Sequence, residues 1–324
     1  MKKRAALALL LSGILLAGSM LTGCKDKGKN DKGDGQQIAS SSPSSEQTSS
    51  KANDLFPESS EPEVSLPTSS EEDAPANATP QAIEIDGITL SDVDQLDNTE
   101  VTWGPGHAMD ENNRSTACVG LQEKYGKYNA KFIMPMDEKT IYLTFDEGYE
   151  NGYTEKILDV LKDKDCQATF YVTLPYVKQN PELIQRMIDE GHVVGNHSVT
   201  HPEKGEPSLS TEKVVEDIAG LHNYMVENFN YQMTTFRPPA GLFSERTLEI
   251  TKELGYNSTL WSFGYLDYLP KAQPDPEEAF EKVTGAAHPG AIYLLHAVSK
   301  TNTEILGRVI DELRGQGYAF EPMR

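Results

Sequence analysis

Two carboxylates stand side by side in TFDEGYENGYT (residues 144–154), directly after the apolar IYL of residues 141–143. Side chains alternate along an extended strand, so Asp146 and Glu147 cannot share one task on one face. Like charges this close repel unless something positive lies beside them. A metal ion, or an Arg together with a metal ion, would resolve this. In NHSVTH (residues 196–201), His197 and His201 lie four apart, so a short helical turn would aim both imidazoles at one ion. Pro202 biases His201 away from helical geometry and keeps that turn short. The zinc-protease pattern needs Glu directly after the first His and fails at Ser198. With Glu147, the two histidines make a two-His, one-carboxylate set with open positions for water, compatible with Zn²⁺, Co²⁺, Fe²⁺ or Mn²⁺. Asp146 is then free to take a proton from water. Arg237, in FRPPAG, can orient it through a bidentate pair. His296, in LLHAVS, can give a proton to a leaving group, and Asp267, in WSFGYLDY, can pair with that His and raise its pKa. Each has a plainer reading: Arg237 as a surface ion pair, Asp267 as a turn cap, His296 as a satisfied histidine at a strand end.

The elements that must position these groups follow from periodicity. TIYLTF reads as a buried strand, and GYTEKILDVLKDKD as a helix with Ile157, Leu158 and Leu161 on one face. QATFYV is a strand. NPELIQRMIDEG is a helix, with Pro181 at its start and Gly191 past its end. HVVGNH is a strand, followed by a long amphipathic helix opening at Ser210. TTFRPP is a strand end, SERTLEITKELG a helix capped by Ser244, NSTLWSF and AIYLLH strands, and TNTEILGRVIDELRGQG a last long helix. Alternating strands and helices argue for a parallel sheet wrapped by helices, closed as a barrel or open. Asp146, His197, Arg237 and His296 each fall at the C-terminal end of a different strand, where a barrel carries its chemistry. Upstream, IEIDGITL (residues 83–90) alternates like a short strand or hairpin.

Taken in order, TFDEGYENG, NHSVTHP, FRPPAG, WSFGYLDY and LLHAVS resemble the five motifs of the polysaccharide deacetylase family, the NodB-homology family or carbohydrate esterase family four. The segments TFDEGYENGYT and LLHAVSKTNTEIL resemble most the branch acting on peptidoglycan N-acetylmuramic acid. The resemblance covers roughly residues 138 to 322. It implies a distorted (β/α) barrel with fewer than eight repeats and metal-dependent hydrolysis of an N-acetyl group. Carried over by position, Asp146 is the general base and His296 the general acid, with Arg237 and Asp267 orienting and tuning them. Glu147, His197 and His201 hold the divalent metal, zinc foremost and Co, Mn or Fe compatible. The backbone N–H of Ala240 serves the oxyanion, and Trp261 and Tyr149 offer sugar platforms. Glu147 stands where the family usually has Asp, and Ala240 where it usually has a bulkier residue. N-acetylglucosamine in peptidoglycan, chitooligosaccharide and acetylxylan are alternative substrates. A non-catalytic carbohydrate-binding protein on the same fold is the alternative outside enzymology.

The chain has 324 residues, 37% of them hydrophobic, and a formal net charge of −21. That charge argues against a nucleic-acid partner, since phosphate backbones reward Lys and Arg. Residues 1–23 have the basic start, apolar run and small-residue end of a secretory signal. The LTGC ending at Cys24 resembles the lipobox of bacterial lipoproteins, which implies lipidation of Cys24 and anchoring to the outer face of the cytoplasmic membrane. Residues 24–82, rich in Ser, Pro, Glu and Asp, read as a disordered tether. Residues 83–137 read as an extension packing on a catalytic domain of residues 138–324, and tether and barrel both suit a monomer with the peptidoglycan glycan strand as partner. Cys118 and Cys166 lie in no ligand-spaced cluster, and a disulfide between them is not favoured.

Overall fold

A computed structural model describes residues 79–85, 90 and 92–324. The expected signal segment, Cys24 and nearly all of the expected tether lie outside the described residues. The elements run β1 Val101–Thr102, α1 Thr116–Tyr125, β2 Ala130–Lys131, β3 Thr140–Glu147, α2 Thr154–Asp163, β4 Thr169–Val172, α3 Leu174–Gln179, α4 Pro181–Asp189 and β5 Val193–Asn196. They continue with α5 Thr211–Phe229, β6 Thr235–Phe236, β7 Leu242–Phe243, α6 Glu245–Glu253, β8 Asn257–Thr259, β9 Phe263–Gly264, α7 Pro276–Gly285, β10 Ala291–His296, α8 Lys300–Gly315 and β11 Ala319–Phe320.

The main sheet is ordered β2-β8-β6-β5-β4-β3-β10-β9, with β11 against the start of β3. Every pairing in it is parallel. The strand–helix units β3–α2, β4–α4, β5–α5, β6–α6, β8–α7 and β10–α8 stop short of eight, and the path leaves β2 and β9 as edges. This is a distorted (β/α) barrel. β3 and β10 lie between β4 and the edge strand β9 and are buried along nearly their whole length, as strands covered on both faces are.

Helix ends follow the local chemistry. Ser210, Ser244 and Ser299 each accept a backbone N–H of the following helix, and at α6 the Thr247 hydroxyl answers Ser244 in a capping box. Ile157, Leu158 and Leu161 of α2 are buried against the sheet. A second core lies apart from the barrel interior, where Trp103, Tyr125 and Phe132 pack on Phe243 and Leu260. Trp103 meets Phe132 edge-on at 5.1 Å, and its indole N–H donates to Trp261 O at 3.0 Å. The aromatic extension thereby touches the element that carries Trp261.

Three sequence expectations are corrected. Ile83–Ile85 form no strand: Asn223 of α5 donates to Ile83 O and accepts from Ile83 N, taking the place of a ladder partner. NSTLWSF splits into β8 and β9, because the chain leaves the sheet at Leu260–Ser262. The helices α1, α3 and α7 were not anticipated; α3 is only six residues long, too short to show a period. Cys118 and Cys166 are both free and buried.

Candidate active site

Parallel register sets the site. His296 of β10 lies beside Asp146 of β3, and Asn196 of β5 beside Phe236 of β6, so the next residues, His197 and Arg237, emerge together. Asp146, His197 and His296 open toward one end of the barrel, with Arg237 buried beside Asp146. The cavity there measures about 490 Å³ and is lined by Asp146, Tyr149, His197, His201, Ala240, Trp261, Tyr268, Leu294 and His296 among others.

Arg237 is fully buried, which excludes the surface ion pair. Its Nη1 donates to Asp146 Oδ1 at 2.7 Å, Nε to Thr259 O at 3.1 Å and Nη2 to Leu260 O at 3.3 Å. The guanidinium carbon lies 4.1 Å from the ring centre of Tyr171, a cation–π contact. Burial alone would push the Asp146 carboxyl up, but Arg237, then His197 and His296, outweigh it and hold it below the usual range.

His197 is equally constrained. Its Nδ1 lies 2.8 Å from Arg237 O, and since a carbonyl can only accept, Nδ1 carries the hydrogen and Nε2 keeps its lone pair. Burial, partly offset by Asp146, lowers its pKa to about 4. Nε2 sits 3.6 Å from Asp146 Oδ2. Two electron-rich atoms thus face each other across the cavity wall. The His201 ring lies 4.8 Å from that of His197, centre to centre.

The loop between the two histidines is not helical: Ser198 (φ 72°) and His201 (φ 46°) adopt left-handed backbone. Such conformations persist where neighbours over-determine them. Here Asn196 Oδ1 accepts from Ser198 N, Ser198 Oγ from His201 N, and Asp217 Oδ1 from Thr200 N at 3.0 Å.

Glu147 does not join them. It is fully buried and lines no part of the cavity; Oε1 accepts from Thr154 Oγ1 at 3.5 Å, and Oε2 has no partner among the described residues. Burial first, then Glu150 and Asp146, push its pKa well above the ordinary carboxylate range. Among the described residues, no three His, Cys, Asp or Glu side chains converge as a metal-holding group. The expected set of Glu147, His197 and His201 is therefore corrected, for the reason that strand alternation turns Glu147 away when Asp146 faces the cavity. The two imidazoles remain a pair of nitrogen donors of the kind that suits a divalent cation.

Asp267 is fully buried, and its Oδ1 accepts from His296 Nδ1 at 2.7 Å while Oδ2 accepts from His296 N at 2.8 Å. It is no turn cap. Burial would lower the His296 pKa, but the bond to Asp267 and the charges of Asp267 and Asp146 raise it overall. Ala240 lines the cavity with left-handed backbone, φ 55°. Tyr149 is half-exposed on the rim with Trp261 nearby. Sequence reasoning missed Tyr268, whose half-exposed ring lies 5.2 Å from that of His296, and Asn302, which reaches Asp267 from α8. Tyr268 directly follows Asp267, so its place next to a candidate tuning residue was the available signal.

The family model for polysaccharide deacetylases matches residues 134–259. Over 225 residues the chain is 40% identical to the peptidoglycan-N-acetylmuramic acid deacetylase PdaA of Bacillus subtilis, spanning 69% of this chain and 84% of that protein. A peptidoglycan-N-acetylglucosamine deacetylase of Bacillus cereus is 33% identical over 190 residues, 58% of this chain and 87% of that one. The solved structure of Bacillus subtilis PdaA, a family 4 carbohydrate esterase, aligns with a TM-score of 0.66 at 40% identity, over 70% of this chain and 96% of that one.

Proposed function

The chain belongs to the polysaccharide deacetylase family, and on that premise we propose that it is a peptidoglycan deacetylase whose preferred substrate is N-acetylmuramic acid. One observation carries the chemistry. Across a single cavity, Asp146 is held below the ordinary carboxylate range while His296 is held above the ordinary imidazole range. Titratable groups pushed apart in this way are a base and an acid at neutral pH.

Asp146, aimed by Arg237, takes a proton from water as its oxygen adds to the acetamide carbonyl carbon. The Ala240 N–H at the cavity wall suits the oxygen that becomes negative. His296 then gives its proton to the amide nitrogen, the carbon–nitrogen bond breaks, and acetate and a free amine leave. His197 and His201 would hold a divalent cation, which, when bound, supplies Lewis acidity toward the carbonyl and acidifies water. Tyr149, Trp261 and Tyr268 give the rim aromatic faces suited to the apolar face of a sugar ring.

The muramic preference rests on the higher identity to the relative named for that sugar. It is tested by mass spectrometry of peptidoglycan treated with the zinc-loaded protein. Acetyl loss from muramic acid is expected, and Asp146→Asn should slow it by at least about 10²-fold with the fold retained by circular dichroism. Loss confined to glucosamine overturns the sugar, and no loss at all overturns the deacetylase. The motif at Cys24 supports a lipid anchor on the outer face of the cytoplasmic membrane. Fatty-acid labelling that survives Cys24→Ala would contradict it.

A further inference from the structure

Asn302, the third residue of α8, is 2% exposed and takes no part in lining the cavity. Its amide has one orientation consistent with its neighbours. Asp267 Oδ2 at 2.6 Å and His296 O at 3.2 Å can only accept, so Nδ2 faces both. Oδ1 is left to accept from the Tyr265 hydroxyl. The Asn302 backbone N–H is itself held by the cap oxygen Ser299 Oγ at 3.1 Å. One side chain thus ties the start of α8 to the end of β10 and to the loop after β9.

The Asp267 carboxylate accepts three hydrogen bonds, and two of them come from His296 itself, through Nδ1 and the backbone N–H, while Gln273 Nε2 reaches only the Asp267 backbone oxygen, at 2.9 Å. Among the described residues, only Asn302 links the carboxylate to a different element. We propose that Asn302 is a positioning residue for the reaction, fixing the Asp267 carboxylate so that the Asp267–His296 pair presents its ring to the cavity. The proposal rests on the acid role given to His296 above. The charged groups facing His296 are Asp267, Asp146 from β3 and Arg237 after β6, with the Tyr268 ring beside it. None of the others holds Asp267.

The test compares wild type, Asn302→Leu and Asn302→Asp in acetyl release from N-acetylmuramic acid-containing glycan strands across pH. Proton NMR of the downfield His296 Nδ1–H is recorded on each protein without substrate. In Asn302→Leu, kcat should fall about 10- to 100-fold with KM within about threefold, and the resonance should broaden or vanish. Asn302→Asp is nearly isosteric. Protonated, it still donates to Asp267; ionised, it sets two like charges side by side, and the proton they share is held above the ordinary carboxylate range. Its kcat relative to wild type should therefore approach one at acid pH and drop as pH rises. A merely structural role would leave that ratio flat. A flat ratio with an unmoved resonance, or Asn302→Leu within twofold of wild-type kcat, overturns the proposal. If wild type releases no acetyl, the functional reading fails on its own. The resonance then decides about Asn302: kept in Asn302→Leu it overturns the role, lost it supports it.

Discussion

The oxygens of Asp146 are divided between a guanidinium and an imidazole: Oδ1 meets Arg237 Nη1 at 2.7 Å, and Oδ2 faces His197 Nε2 at 3.6 Å. The next residue, Glu147, is sealed on the other side of β3 near Thr154 and Tyr176. Burial, and then Glu150 and Asp146, raise its pKa and so favour its neutral form. Glu147→Gln is then close to an isosteric exchange. Zinc affinity by isothermal titration calorimetry should stay within about threefold of wild type, whereas His197→Gln should lose at least about 10²-fold. A tenfold loss in Glu147→Gln would restore Glu147 as a ligand. Residue types and their order along the chain were legible in the sequence. The period of two also showed that Asp146 and Glu147 must part company, but not which of them turns to the cavity. Family position assigned both to it, and the strand permits only one. The left-handed Ser198 and His201 were illegible for a different reason, since Asn196 and Asp217 impose them by hydrogen bonds from outside the five-residue loop's own propensities.

At the scale of elements, neighbouring strands hold the Arg237 guanidinium through a glycine. Gly195 lies in β5 beside Tyr171 of β4, and a Cβ added there would meet the Tyr171 ring at 2.6 Å and Thr235 Cγ2 at 3.1 Å. The missing side chain lets that ring lie flat enough to stack on Arg237 at 4.1 Å while its hydroxyl bonds Thr235 Oγ1 at 2.8 Å. Gly195→Ala should displace the ring. Overpacking of this kind costs about 1–3 kcal/mol, read as a lower urea midpoint. Because Tyr171 supports Arg237, kcat should also fall about tenfold, since small misplacements near the reacting atoms are expensive in rate. Unchanged kcat in a destabilised variant would separate the stack from the chemistry. The helices that carry these strands were readable where a cap met a periodic face, as at Ser210, Ser244 and Ser299. They were not readable in α7, where Asp275 and Pro276 signal a start but only Ala279 and Val283 are buried. β9 escaped because two residues beside a longer strand leave no pattern.

The whole molecule couples its fold to pH through buried groups outside the cavity. His192, between α4 and β5, accepts from Ala168 N at 3.1 Å through Nδ1, while Nε2 has no partner among the described residues. Its ring meets Phe170 edge-on at 5.3 Å. Burial, only partly offset by Glu190, lowers its pKa to about 4. An unfolded chain titrates this group near pH 6.5. Between those values the unfolded state binds a proton that the folded state refuses, so stability falls as pH drops from 6.5 toward 4. By pH 5 the loss from this residue is about 2 kcal/mol. Glu147 and Glu206, whose pKa values are raised by burial, act in the opposite sense, so the wild-type curve alone does not isolate His192. His192→Asn keeps an acceptor for the Ala168 N–H and removes the titration. Measured by urea unfolding, the variant should gain about 2 kcal/mol relative to wild type on going from pH 7.5 to pH 5. A difference that stays constant over this range would mean that the folded chain binds the His192 proton as readily as the unfolded chain does, with Nδ1 giving up its bond from the Ala168 N–H to take it.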